Sequence, residues 1–129
     1  MAEYACTVVP VYVRPTSMVD EQACIGVIVR CPEADCYACR IATDDEAVIA
    51  RIVGFFPKFG RANLMQALAW AAQDVEYSFS REKNLGDKGA FANLIRPREN
   101  VVRYGPPQSL LTRDPAAELD GLYHRAVGI

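Results

Sequence analysis

The stretch from Ala23 to Ala42, ACIGVIVRCPEADCYACRIA, decides how the rest of the chain is read. Its first nine residues, ACIGVIVRC (23–31), are β-branched and almost continuously apolar. They predict a strand covered on both faces over part of its length. PEAD (32–35) places proline, acid and small residues in turn order. CYACRIA (36–42) then returns as a second strand. Two strands joined by so short a turn pair antiparallel, and a sheet that begins with a hairpin belongs to a different class of fold from one built of alternating strands and helices.

The same stretch carries a rival reading. Cys31, Cys36 and Cys39 have the C-x4-C-x2-C spacing found in the cluster-binding run of plant-type ferredoxins. Strand geometry argues against it. If PEAD is the turn, Cys31 and Cys36 are cross-strand neighbours, whereas Cys36 and Cys39, three apart, point to opposite faces. A fourth ligand is also missing, because no cysteine follows Cys39, and Cys6 and Cys24 lie upstream in strands of their own. The thiols are therefore read as small buried hydrophobes, and no metal or cofactor is expected.

Working outward, EYACTVVPVYV (3–13) is rich in β-branched and aromatic residues and predicts another strand, with an edge position or a bulge at Pro10. RPTSMVDEQ (14–22) is a polar connection. On the other side, Thr43-Asp44-Asp45-Glu46 has the form of a capping box. Ala47, Ile49, Ile52, Val53 and Phe56 follow at helical spacing, and Pro57 ends the pattern. A second helix starts near Arg61 or Ala62. Leu64, Leu68, Ala72, Val75 and Phe79 mark its buried stripe, with Trp70 off that line. Residues 83–100 read as a long loop with a helical turn at AFANLI (90–95). NVVRY (100–104) is a fourth strand, stopped by GPPQ. Asp114 and Pro115 are a cap and first residue for a last helix, with Leu119, Leu122, Tyr123, Ala126 and Val127 inward. Gly121 inside that helix costs about 1 kcal/mol relative to alanine. The order β-β-β-α-α-loop-β-α predicts one α+β domain over 1–129: an antiparallel sheet of about four strands with helices packed on one face.

Composition narrows the function classes. The 129 residues are 51% hydrophobic with a net charge of −2, which excludes a disordered chain and a global basic field for nucleic acid. The charge is uneven. Residues 1–80 hold six basic and ten acidic side chains, and residues 81–113 hold seven basic and three acidic, so a local basic patch is open. No basic leader segment and no membrane-length apolar run is visible, and five cysteines suit a reducing compartment. A cytoplasmic location is expected.

Few residues spell chemistry. His124 is the single histidine and sits on the last helix, which disfavours a Ser-His-Asp or Cys-His engine and the common zinc sites. Gly86-Asp87-Lys88-Gly89 lacks the full phosphate-loop pattern. Asp44, Asp45 and Glu46 are accounted for by the helix start. What stands out is Arg96, Arg98 and Arg103, with Asn100 between them. Arginine forks suit phosphate or carboxylate recognition, and Arg81, Lys83 and Lys88 can join the same surface if the long segment folds back.

Tyr4, Glu21 with Cys24-Ile25-Gly26-Val27, Arg98-Glu99-Asn100 through Tyr104, and Asp114-Pro115 with Glu118-Leu119 and Leu122-Tyr123 together resemble the small bacterial family known as domain of unknown function 3037. The resemblance spans nearly the whole chain. One departure is Cys24, where the family pattern leads one to expect asparagine. The resemblance brings no established activity. It implies an accessory role beside a HipA-like serine/threonine kinase. The expectation is a non-enzymatic protein-binding module. The alternative is a binder of, or enzyme on, phosphate ligands or nucleic acid that uses the basic segment 81–103. A homo-oligomer formed through the strand edge near Pro10 or an apolar helix face is a third expectation.

Overall fold

Strand β1 (Tyr4–Val13) pairs along both of its edges and is the centre of the sheet. The computed structural model describes residues 3–15, 21–98 and 100–128. The connection expected at 14–22 therefore lies partly outside the described residues. On one side β1 pairs with β2 (Ala23–Cys31), which pairs with β3 (Cys36–Ile41). On its other side it meets β4 (Val102–Tyr104) and β5 (Gln108–Thr112), one after the other, and every pairing is antiparallel. The expected strand after 100 is thus followed by another. Gly105-Pro106-Pro107 interrupts it without ending it, and QSLLT resumes pairing with the first half of β1.

Pro10 explains the interruption. Its carbonyl accepts from the Gly105 amide at 2.8 Å, so its nitrogen, which has no proton to give, faces the same gap between β4 and β5. The proline expected at an edge or a bulge stands in the central strand. It is tolerated there because the partner strand breaks opposite it. A register shift against β2 follows at Val11/Tyr12.

The hairpin is built as its sequence dictates. A 3-10 turn at Pro32–Ala34 closes on Asp35, whose backbone takes the left-handed region at φ 50° and whose amide bonds the Pro32 carbonyl. Cys31 and Cys36 face each other in register. Gly26 is required by close approach: a Cβ there would meet the Arg40 carbonyl oxygen at 2.4 Å and Ile41 Cδ1 at 2.6 Å.

Four helices complete the chain: α1 (Glu46–Phe55), α2 (Gly60–Leu85), α3 (Ala90–Leu94) and α4 (Pro115–Val127). The α+β class and the antiparallel sheet are those expected, but the helices are shared between the two faces. Arg30 and Tyr37, a cross-strand pair, both reach Glu82 of α2, and Arg30 also lies over the Phe91 ring of α3. Arg40, three residues after Tyr37 and hence on the other face, pairs with Asp120 of α4 and covers the Tyr123 ring at 4.1 Å. This is why Ile25, Gly26, Val27, Ile28 and Val29 are buried without alternation, as the unbroken apolar run of β2 foretold.

Two helix boundaries differ from expectation. Asp45, not Thr43, caps α1, its carboxylate accepting from the Val48 amide at 3.3 Å. Glu46 is then free to reach Arg61 at the start of α2, so the reciprocal capping bond does not form. Helix α2 continues through residues 83–85, which the sequence assigned to a loop. It ends only where Gly86 adopts φ 67°.

The cysteines separate by face. Cys31 and Cys36 share the face of α4 with Cys6, and Cys39 lies on the face of α2. Among the described residues no group of three or more His, Cys, Asp or Glu side chains is arranged to hold a metal ion. Likewise no helix there is long and apolar enough to cross a membrane.

Candidate functional site

Helix α2 is 26 residues long, and its second half, held to the sheet on one side, forms one wall of a cleft on another. Asp74, Tyr77, Ser78 and Arg81, at spacings of three, one and three, share the helix face that lines it. The opposite wall is α3 with the segment after it, from Asn93 to Arg98. The floor is β4 with Gly105, Pro106 and Pro107. The cleft holds about 1170 Å3, the scale of a small-molecule site.

The walls are held apart by specific contacts. Arg30 donates to both carboxylate oxygens of Glu82, at 2.8 and 2.5 Å, and this fixes the end of α2 to the sheet. Arg81 donates to Asp87 at 2.9 Å and to the Tyr77 hydroxyl at 3.3 Å, while the other Asp87 oxygen accepts from the Gly89 amide at 3.1 Å. These bonds turn the chain from α2 into α3. Gly105 lets the floor lie against β1, because a Cβ there would meet Pro10 Cγ at 2.7 Å and Tyr12 Cε2 at 3.0 Å.

All four residues singled out from sequence line this cleft: Arg96, Arg98, Asn100 and Arg103. Arg81 joins them, whereas Lys83 and Lys88 do not line it. They are not equivalent. Arg98 is folded back, one guanidinium nitrogen donating to the Asn93 carbonyl at 2.6 Å and to its side-chain oxygen at 3.3 Å. Arg81 is engaged by Asp87. Arg96 and Arg103 have no hydrogen-bond or ion-pair partner among the described residues. Arg103 enters from β4 between Val102 and Tyr104, and strand alternation turns its side chain from the face that Tyr104 takes. The two therefore address the cleft from different sides of the strand. Glu99, in the middle of the Arg98-Glu99-Asn100 motif, lies outside the described residues.

Sequence reasoning missed the polar floor. The Ser78 hydroxyl and the Tyr104 hydroxyl are both buried and both lack a hydrogen-bond partner, and both residues line the cleft. Burial, and next the nearby Asp74 carboxylate, push the Tyr104 phenol well above its ordinary range, while the Arg98 charge pulls the other way. It is a neutral donor at physiological pH. A signal for Ser78 was available, since it follows Val75 by three residues and so falls on the buried stripe, where a serine is out of place. Nothing in the NVVRY strand distinguished Tyr104 from a core aromatic.

The departure at Cys24 is accommodated locally. Its thiol donates to the Gly26 carbonyl at 3.3 Å, half-buried opposite Tyr12.

The family model described as Protein of unknown function (DUF3037) matches residues 9–127. The chain belongs to that family. No curated protein and no solved structure matches it.

Proposed function

We propose that this member of the DUF3037 family binds a phosphate-bearing small ligand in the cleft between α2 and α3. The observation that carries the reading is the state of the arginines. Elsewhere Arg30, Arg40 and Arg61 each hold a carboxylate. In the cleft Arg96 and Arg103 stand without a partner among the described residues, beside Arg98 and Asn100, on a concave surface. Guanidinium forks left unpaired among the described residues at the rim of a cavity suit an anion that arrives from solution. The reading makes the protein a binder, and it supplies no nucleophile or base for turnover.

Calorimetric titration with pyrophosphate tests it. Binding is expected to weaken steeply as salt is raised, and to be lost in an Arg96→Ala, Arg103→Ala double variant that melts at the parent temperature. No heat and no rise in melting temperature with pyrophosphate at roughly 10 mM overturns the reading.

A second reading is supported by exposed aromatic side chains, one of them the cleft residue Tyr77. Trp70 and Tyr77, two helical turns apart, are 51% and 64% exposed on α2, and Phe55 on the neighbouring α1 is 74% exposed. Such side chains suit a protein partner, and the family resemblance favours a HipA-like kinase in a bacterial cytoplasm, where free thiols persist. Sedimentation of the purified protein with a HipA-like kinase from the same organism tests this. A complex that Trp70→Ala disrupts supports it, and no complex at micromolar concentration rejects it.

A further inference from the structure

The cleft is lined by several kinds of group, and together they describe a ligand. Its arginines, from α2, from the segment after α3 and from β4, favour a negative group. Beside them stand the Asp74 carboxylate, the hydroxyls of Ser78 and Tyr104, which have no partner among the described residues, and the ring of Tyr77. Ser78 is only 4% exposed, so its orphaned hydroxyl costs free energy until something bonds to it. A carboxylate that only accepts, beside two hydroxyls that accept or donate, calls for a ligand that bears N–H or O–H groups besides its negative charge. Tyr77 remains 64% exposed although it lines a concave wall, and Arg81 lies 5.8 Å from its ring centroid. An exposed ring at a cavity wall is a stacking surface for a flat group. The volume of about 1170 Å3 far exceeds what an inorganic anion fills.

A negative group, hydrogen-bonding groups and a flat ring, all within one small molecule, are the description of a nucleotide. We propose, resting on the anion-binding reading above, that the cleft takes a free nucleoside monophosphate. The phosphate lies toward Arg96 and Arg98, the base against Tyr77, and the polar groups of base or sugar on Ser78 and Tyr104. A free nucleotide fits better than a polymer. The chain carries a net charge of −2, and Asp74 and Asp87 both line the cleft, so a run of phosphates leaving it meets repulsion.

Titration of the whole protein with inorganic phosphate, the four ribonucleosides, their four monophosphates and a short single-stranded RNA tests this. At least one monophosphate is expected to bind about tenfold or more tighter than both phosphate and its own nucleoside. Ser78→Ala and Tyr104→Phe are each expected to weaken that monophosphate about fivefold and leave phosphate within about twofold. Neither variant deletes a bond the free protein makes, and an unchanged melting temperature shows that it folds. If phosphate binds and no monophosphate binds tighter, the nucleotide inference falls while the anion-binding reading stands. If neither binds, both fall. If the RNA binds tighter per nucleotide than any monophosphate, a nucleic-acid site replaces the one proposed.

Discussion

Tyr123 is fully buried on α4, and its hydroxyl donates to the Asp45 carboxylate at 2.8 Å. The same carboxylate caps α1, so one side chain serves two helices. The phenol is the first cause, and the Val48 amide a lesser one, of an Asp45 acidity held below the ordinary aspartate range. The stability this contributes is fully present above the unfolded-state value, near 4, and is lost as pH falls through the lower folded value. Tyr123→Phe is expected to cost about 1–2 kcal/mol at neutral pH, and the cost should shrink in urea melts as pH falls below the ordinary aspartate value and through the lower folded one. A cost that does not change with pH contradicts this assignment. The thiols permit a second check. Burial, and then Cys31, push the Cys6 thiol up to about 12. Iodoacetamide near pH 8 should therefore spare Cys6 in the native protein and label it after unfolding. Peptide mapping reads the outcome. At this scale the sequence was informative where parity decides, as at Cys36 and Cys39. It was silent where a role depends on distant residues, as for Tyr123 with Asp45, 78 positions apart.

Elements divide in the same way. The hairpin and α4 were legible because their signals are local: a turn word, a cap, a proline, a periodic stripe. Helix α2 was cut short on paper because its apolar repeat ends at Phe79, yet Arg81, Glu82 and Lys83 are good helix formers, and the Arg30 contact to Glu82 holds the extra turns. β5 was missed because QSLLT is short, mostly exposed and preceded by two prolines, and only β1 gives it a partner. Two glycines make opposite predictions. Gly26→Ala drives a methyl into the Arg40 carbonyl and Ile41, and should destabilise by about 2 kcal/mol or more, seen as a large drop in melting temperature. Gly121 has nothing within 4 Å of where its Cβ would stand, so Gly121→Ala should stabilise α4 by about 0.5–1 kcal/mol. An unchanged melting temperature there places another constraint on that turn.

For the molecule as a whole, the Arg30–Glu82 pair links sheet, long helix and cleft. Its side chains are 20% and 7% exposed, so it is largely shielded from water. Glu82→Ala strands Arg30 against Phe91 and should cost about 3 kcal/mol in denaturant unfolding. Anion binding should fall with it, because the α2 wall loses its anchor. Retained binding in a strongly destabilised variant shows that the cleft is held in another way. The fold class could be read from strand order, since hairpins are local. The division of helices between two faces could not, although β2 hinted at it by having no polar side. The cleft itself was half legible: its charges are clustered in sequence, while its floor is assembled from α2 and β4.

The sheet's central strand is also its first, and half of its neighbours come from residues 102–112. On the ribosome, the edge of β1 that β4 and β5 will cover must wait until residues 102–112, about 90 or more positions further on, have been synthesised. Until then a row of unpaired amides beside valines is open to other nascent chains. Pro10, which offers no proton on that waiting edge, makes it a poorer template for such unwanted partners. The residue that breaks the finished ladder thus also guards it during synthesis.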